Sequence, residues 1–103
     1  MRFLVSNKNI IIKSNNYQLA SIDDVVNYCK DKQTLGVDTE TEGMDFISKK
    51  IVMFQIGDEN KQFVIDTRHI DIEPLRFILE DITITKIFHN AKFDYKFIKK
   101  WYN

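Results

Sequence analysis

Short apolar blocks alternate with polar ones along this chain, and the spacing of the apolar positions decides which element each block predicts. Phe3-Leu4-Val5 and Ile10-Ile11-Ile12 are separated by the polar Ser6-Asn7-Lys8-Asn9, a pattern that predicts a small hairpin. Ser21 then stands as an N-cap with Asp24 three residues on, a shorter form of the capping-box acid. Ile22, Val25, Val26 and Cys29 follow at i, i+3, i+4 and i+7, which is one face of a helix. Cys29 on that stripe reads as a core residue, because buried thiols are usually inert. Leu35 to Thr39 predicts a strand and Gly43 a bend after it. Ile51 to Ile56 is a second strand, Gly57-Asp58-Glu59-Asn60 a turn, and Phe63-Val64-Ile65 a third strand closing an antiparallel hairpin. Pro74 falls in the first turn of a helix, where its missing N–H costs nothing, and Leu75, Ile78, Leu79 and Ile82 give that helix its apolar side. Ile84 to Phe88 is a fourth strand, and Asn90 caps a final helix running toward Asn103. From Leu35 onward the order β-β-β-α-β-α predicts an α/β mixed sheet with helices packed on it.

Composition narrows the class without naming a function. At 103 residues the chain is one small domain, and 44% hydrophobic residues are enough to build one core. Fifteen basic residues balance fifteen acidic ones, which argues against a polycation but leaves room for a local basic surface. A single cysteine excludes an internal disulfide framework and a cysteine-based zinc site. The longest apolar run, Ile51 to Phe54, is far too short to span a membrane, and the polar residues after Val5 leave no signal-peptide apolar region. The expectation is a soluble, cytoplasmic domain with no membrane partner. Trp101 and Tyr102 are large apolar residues at the very end, which predicts a domain cut short after its last helix.

Two places carry candidate chemistry. Asp38 and Glu40 stand two apart on a predicted strand, so both carboxylates project from one face. Held together they repel, and one must protonate unless a cation sits between them. Glu42 and Asp45 extend the acidic run and read as a solvated loop. Asp94 is the second place. It shares a helical face with Ala91, Ile98 and Trp101, where a carboxylate is costly unless it is paired or bound to a metal. Its i+4 neighbour is Ile98 and its i−4 neighbour Asn90, neither of which is a cation. Lys92, Lys96 and Lys99 lie on the opposite, solvated face. Hard carboxylate oxygens suit magnesium or manganese, and two such ions are the usual device for phosphodiester cleavage. His69 and His89 are expected at the surface and at a strand end, not as ligands.

Val37-Asp38-Thr39-Glu40-Thr41-Glu42-Gly43 resembles the first motif of the DEDD 3′–5′ exonucleases, and His89-Asn90-Ala91-Lys92-Phe93-Asp94 resembles their second. Between them Val52 to Gly57, Phe63 to Asp66 and Leu75 to Asp81 fall in the family's order, so the resemblance covers residues 17–103. It is similar above all to the proofreading exonuclease domain of family A (polymerase I-type) DNA polymerases, with RNase D-like exoribonucleases sharing nearly the same pattern. The resemblance implies a ribonuclease H-like mixed sheet with flanking helices, truncated after the second-motif helix, so that residues 1–103 are the N-terminal part of such a domain. It implies two Mg2+ or Mn2+ ions, with Asp38 bridging both, Glu40 on the ion that activates water and Asp94 supporting the second. Thr39, Met44 and Asn90 fall where such enzymes touch the substrate, a single-stranded 3′ end of DNA or RNA. The family's third motif supplies a Tyr or His and a final Asp, whereas here nine residues follow Asp94 and none is acidic. The resemblance therefore implies a partner, either a downstream polymerase or the remaining exonuclease segment. The contrasting reading is a non-catalytic nucleic-acid-binding remnant, whose residues 86–103 hold five lysines and one acid interleaved with aromatics.

Overall fold

The computed structural model describes residues 1–6, 17–41 and 51–88. Within them the chain forms β1 (Arg2–Val5), β2 (Tyr17–Leu19), α1 (Ile22–Cys29), β3 (Thr34–Thr41), β4 (Ile51–Gly57) and β5 (Gln62–Asp66). A 3-10 turn (Glu73–Leu75) then runs into α2 (Arg76–Leu79), and β6 (Thr85–Phe88) follows. The strands make one mixed sheet in the order β2-β1-β5-β4-β3-β6. β3, β4 and β5 are an antiparallel meander, while β6 joins β3 and β1 joins β5 in parallel.

Side-chain alternation sends one set of residues to each face. Leu35, Val37 and Thr39 of β3, Phe54 and Ile56 of β4, Phe63 and Ile65 of β5 and Val5 of β1 share a buried face. Val25 and Cys29 of α1 and Ile72, Leu75 and Ile78 of the 3-10/α2 segment belong to the same core. Helix α1 starts as the sequence implies: Ser21 Oγ accepts from the Asp24 N–H at 3.2 Å, and Asp24 Oδ2 accepts from the Ser21 N–H at 2.9 Å. Cys29 is fully buried, and burial pushes its thiol pKa up to about 11.

Two expectations need correction. The hairpin of Phe3–Val5 with Ile10–Ile12 has no edge to form on, since β1 is already paired in parallel with β2 on one side and β5 on the other. Residues 10–12 themselves lie outside the described residues. The second correction concerns the helix after Pro74, which ends at Leu79 and leaves Ile82 98% exposed instead of on the apolar side. Asp81 is the cause: its Oδ1 accepts from both the Thr83 N–H and the Thr83 hydroxyl, folding the chain into a turn that competes with further helix. Lys86 then donates from Nζ to the Ile78 and Asp81 carbonyls, capping α2 with a cation. The Gly43 bend and the helix after Asn90 fall outside the described residues.

Candidate active site

Strand β3 positions the first carboxylates. Its burial alternates without a break, Leu35, Val37 and Thr39 inward and Gly36, Asp38 and Glu40 toward the other face, with Asp38 half-buried and Glu40 exposed. Parity on a strand therefore does what the D-x-E spacing predicts, and both acids leave the sheet on one side. The register pairs Gly36 with Gly57, Asp38 with Gln55 and Glu40 with Met53, then shifts between Glu40 and Thr41. Asp38 Oδ1 accepts the backbone N–H of Thr39 at 2.9 Å, which fixes the carboxylate's orientation.

On this face a cleft of about 680 Å³ runs along β3 and β4 beside Asp38. Gly36 and Gly57 floor it with bare backbone, Gln55 and Gln62 line it with amides, and Ile87 of β6 forms an apolar wall that is 60% exposed. The glycine pair and Gln55 went unnoticed in the sequence, where only strand register could have revealed them: residues 36 and 57 are opposite one another because the β3–β4 pairing makes them so.

Thr39, expected near substrate, turns its side chain into the buried face, so what it contributes beside Asp38 is its amide N–H. Met44, Asn90 and Asp94 lie outside the described residues, and among the described residues no group of three His, Cys, Asp or Glu side chains converges. A divalent ion fits what is present. Asp38 and Glu40 offer hard oxygens on one face, Asp38 in the lining of a cleft and oriented by an amide, while the soft thiol of Cys29 is shut in the core. His69 is a surface residue whose Nε2 stands 3.9 Å from Asp66 Oδ2.

Residues 14–103 match the 3′–5′ exonuclease family. The chain belongs to that family. The chain is 43% identical over 68 residues to DNA polymerase I of Aquifex aeolicus, a match covering 65% of the chain and 11% of the polymerase. Its fold is similar to Escherichia coli RNase D, described as an exoribonuclease involved in structured RNA processing, with a TM-score of 0.72 at 18% identity over 96% of this chain and 24% of RNase D. It is also similar to Brucella melitensis NrnC solved with bound Mg2+, with a TM-score of 0.61 at 23% identity over 90% of this chain and 40% of that one. NrnC has also been solved bound to pGG. The chain therefore has the ribonuclease H-like fold of these structures and spans a minor part of each of these relatives.

Proposed function

We propose that this chain is the N-terminal part of a 3′–5′ exonuclease domain that trims single-stranded 3′ ends of DNA by two-metal phosphodiester hydrolysis, in a proofreading role beside a polymerase. The observation that carries this reading is the pair Asp38 and Glu40 leaving β3 on one face, with Asp38 in the lining of the glycine-floored cleft, within a chain that belongs to the family. DNA is preferred to RNA because the match to a DNA polymerase is the one with high sequence identity, whereas likeness to RNase D is likeness of fold.

Asp38, Glu40 and Asp94 would hold Mg2+ or Mn2+, which when bound supplies an activated water and a clamp on the cleaved phosphate. The chain's own part is to orient and shape. Thr39 N–H aims Asp38, the cleft admits the end of the strand, and Met44 and Asn90 are assigned to contacts with the terminal nucleotides. Strand β6 ends at Phe88, paired with Val37 of β3 next to Asp38. The fourth carboxylate and the base would come from a further segment, and the single buried thiol suits a reducing, cytoplasmic setting.

The test has two readouts. Calorimetric titration of the chain with Mn2+ should show Asp38→Asn binding several-fold more weakly than Glu42→Gln, since Glu42 is not one of the proposed ligands. Degradation of 5′-labelled oligonucleotides with Mn2+ should be slight for residues 1–103, should rise when the continuing segment is fused or added, and should vanish with Asp38→Ala. Equal weakening in the two variants would make the acids a diffuse cloud and defeat the reading.

A further inference from the structure

A second polar cluster lies on the same sheet face as Asp38 and Glu40, and at the same end of the sheet. Strands β1, β3, β5 and β6 all run in one direction, so their C-terminal ends gather there, which is where α/β sheets hold their ligands. Register pairs Glu40 with Met53 and Met53 with Asp66. Asp66 is thus two strands from Glu40, roughly 10 Å away. Its side chain is 7% exposed and takes donors from Ser6 and Arg68. It accepts from Ser6 Oγ at 3.4 Å and from the Arg68 backbone N–H at 3.1 Å. It also takes the Arg68 guanidinium as a fork, Nε to Oδ1 at 3.0 Å and Nη2 to Oδ2 at 3.3 Å.

The arginine side chain, by contrast, is 64% exposed. Holding the buried Asp66 carboxylate occupies only the inner edge of the guanidinium. What the fork does achieve is to fix a planar guanidinium with two of its five donors spent inward and its outer edge turned to solvent. Ser6 and the Arg68 amide share the carboxylate's charge, so the outer edge keeps a positive field. A pre-oriented guanidinium edge matches the paired oxygens of a phosphodiester.

We propose that Arg68, held in place by Asp66, binds a backbone phosphate of the substrate strand near the cleaved one. The inference rests on the proposed function and deepens it: Arg68 touches the strand, and Asp66 is a positioning residue. DNA and RNA share this phosphodiester chemistry, so both are tested.

The experiment measures binding of the chain to 5′-labelled oligothymidylate and oligouridylate by fluorescence anisotropy, in Ca2+ and over a series of salt concentrations. Arg68→Gln should weaken binding roughly five- to tenfold. It should also lower the steepness of the salt dependence by about 0.7, the value for one phosphate contact on a single strand. Arg68→Lys should keep the salt steepness, having the charge, and lose part of the affinity, lacking the fork. Asp66→Asn should behave as a weaker Arg68→Gln. Loss in both arms supports the contact, and loss in one arm supports it and assigns it to that strand. Unchanged affinity and salt steepness in Arg68→Gln, whatever its melting temperature, would overturn the proposal and leave Arg68 as the counterion of Asp66. So would a wild-type chain that binds neither strand. Failure of the exonuclease reading shows separately, as Mn2+ binding that is indifferent to Asp38→Asn.

Discussion

Gly36 and Gly57 face one another across β3 and β4, yet a methyl group added at each should have opposite consequences. A Cβ on Gly57 would lie 2.2 Å from the Lys61 carbonyl oxygen and 2.8 Å from the Gln62 Cα, both backbone atoms that cannot swing aside. Relief requires the Lys61 carbonyl to withdraw by more than an ångström, roughly the gap between 2.2 Å and ordinary contact at 3.4 Å. That movement breaks the 2.9 Å bond from the Asp58 N–H to Lys61 O. It also loosens Asp58 Oδ1, which accepts from the Asn60 and Lys61 amides at 3.0 Å each and from the Tyr28 hydroxyl at 2.6 Å. One neutral bond at about 1 kcal/mol and the weakened bonds to the carboxylate at about 2–3 kcal/mol put Gly57→Ala at about 3–4 kcal/mol of destabilisation. For a domain of this size that is a fall in melting temperature of roughly 12–25 °C. A Cβ on Gly36 meets nothing nearer than 3.8 Å and should leave stability unchanged or up to about 1 kcal/mol higher. Thermal melts followed by circular dichroism check both. A Gly57→Ala melt within about 3 °C of wild type, or equal damage from the two alanines, would refute the steric account.

The remaining predictions concern pH, the thiol and the helix cap. Hydrogen bonding by Tyr28 and then by the Lys61 and Asn60 amides holds the Asp58 carboxyl well below the usual carboxylate range, and Arg68 lowers Asp66 in the same sense. A lowered folded-state pKa contributes stability that is complete above the ordinary carboxylate pKa and is lost as pH falls through the folded value. Urea midpoints should therefore drop below about pH 4, and Asp58→Asn should flatten that decline. With its thiol buried and its pKa raised to about 11, Cys29 should resist a disulfide reagent at pH 8 in the native state and react at once in denaturant. Ser21→Ala removes one half of the capping box and should cost about 1 kcal/mol, read as a shifted urea midpoint at constant slope.

What could be read from the sequence was what depends on neighbours within a few residues. The Ser21–Asp24 box, the Val25–Cys29 stripe and the parity of Asp38 and Glu40 are local, and the fold uses them as they stand. Local reading failed where two local signals competed. Ile82 continues a helical period from Leu75 and Ile78, but the Asp81–Thr83 turn is the stronger preference and ends the helix first. It failed too where partners are distant: β1 bonds to β5 sixty residues later, and no pattern around Phe3 announces that. Gly57 is a turn residue in the sequence, while its particular necessity comes from Lys61 folding back over it. Arg68 carries no signal of its own, since its significance lies in Asp66 following three buried residues on the same face as Glu40.

The register shift between Glu40 and Thr41 also bears on how the chain can vary. Strand facing has a period of two, so one residue inserted between Leu35 and Val37, with Leu35 held in the core, would turn both carboxylates inward and bring Val37 out, which should end folding. Beyond Glu40 the pairing frame is already reset, so a change in chain length after Thr41 leaves both acids on their face. The offset acts as a mechanical clutch, isolating the facing of the two acids from changes in chain length beyond it.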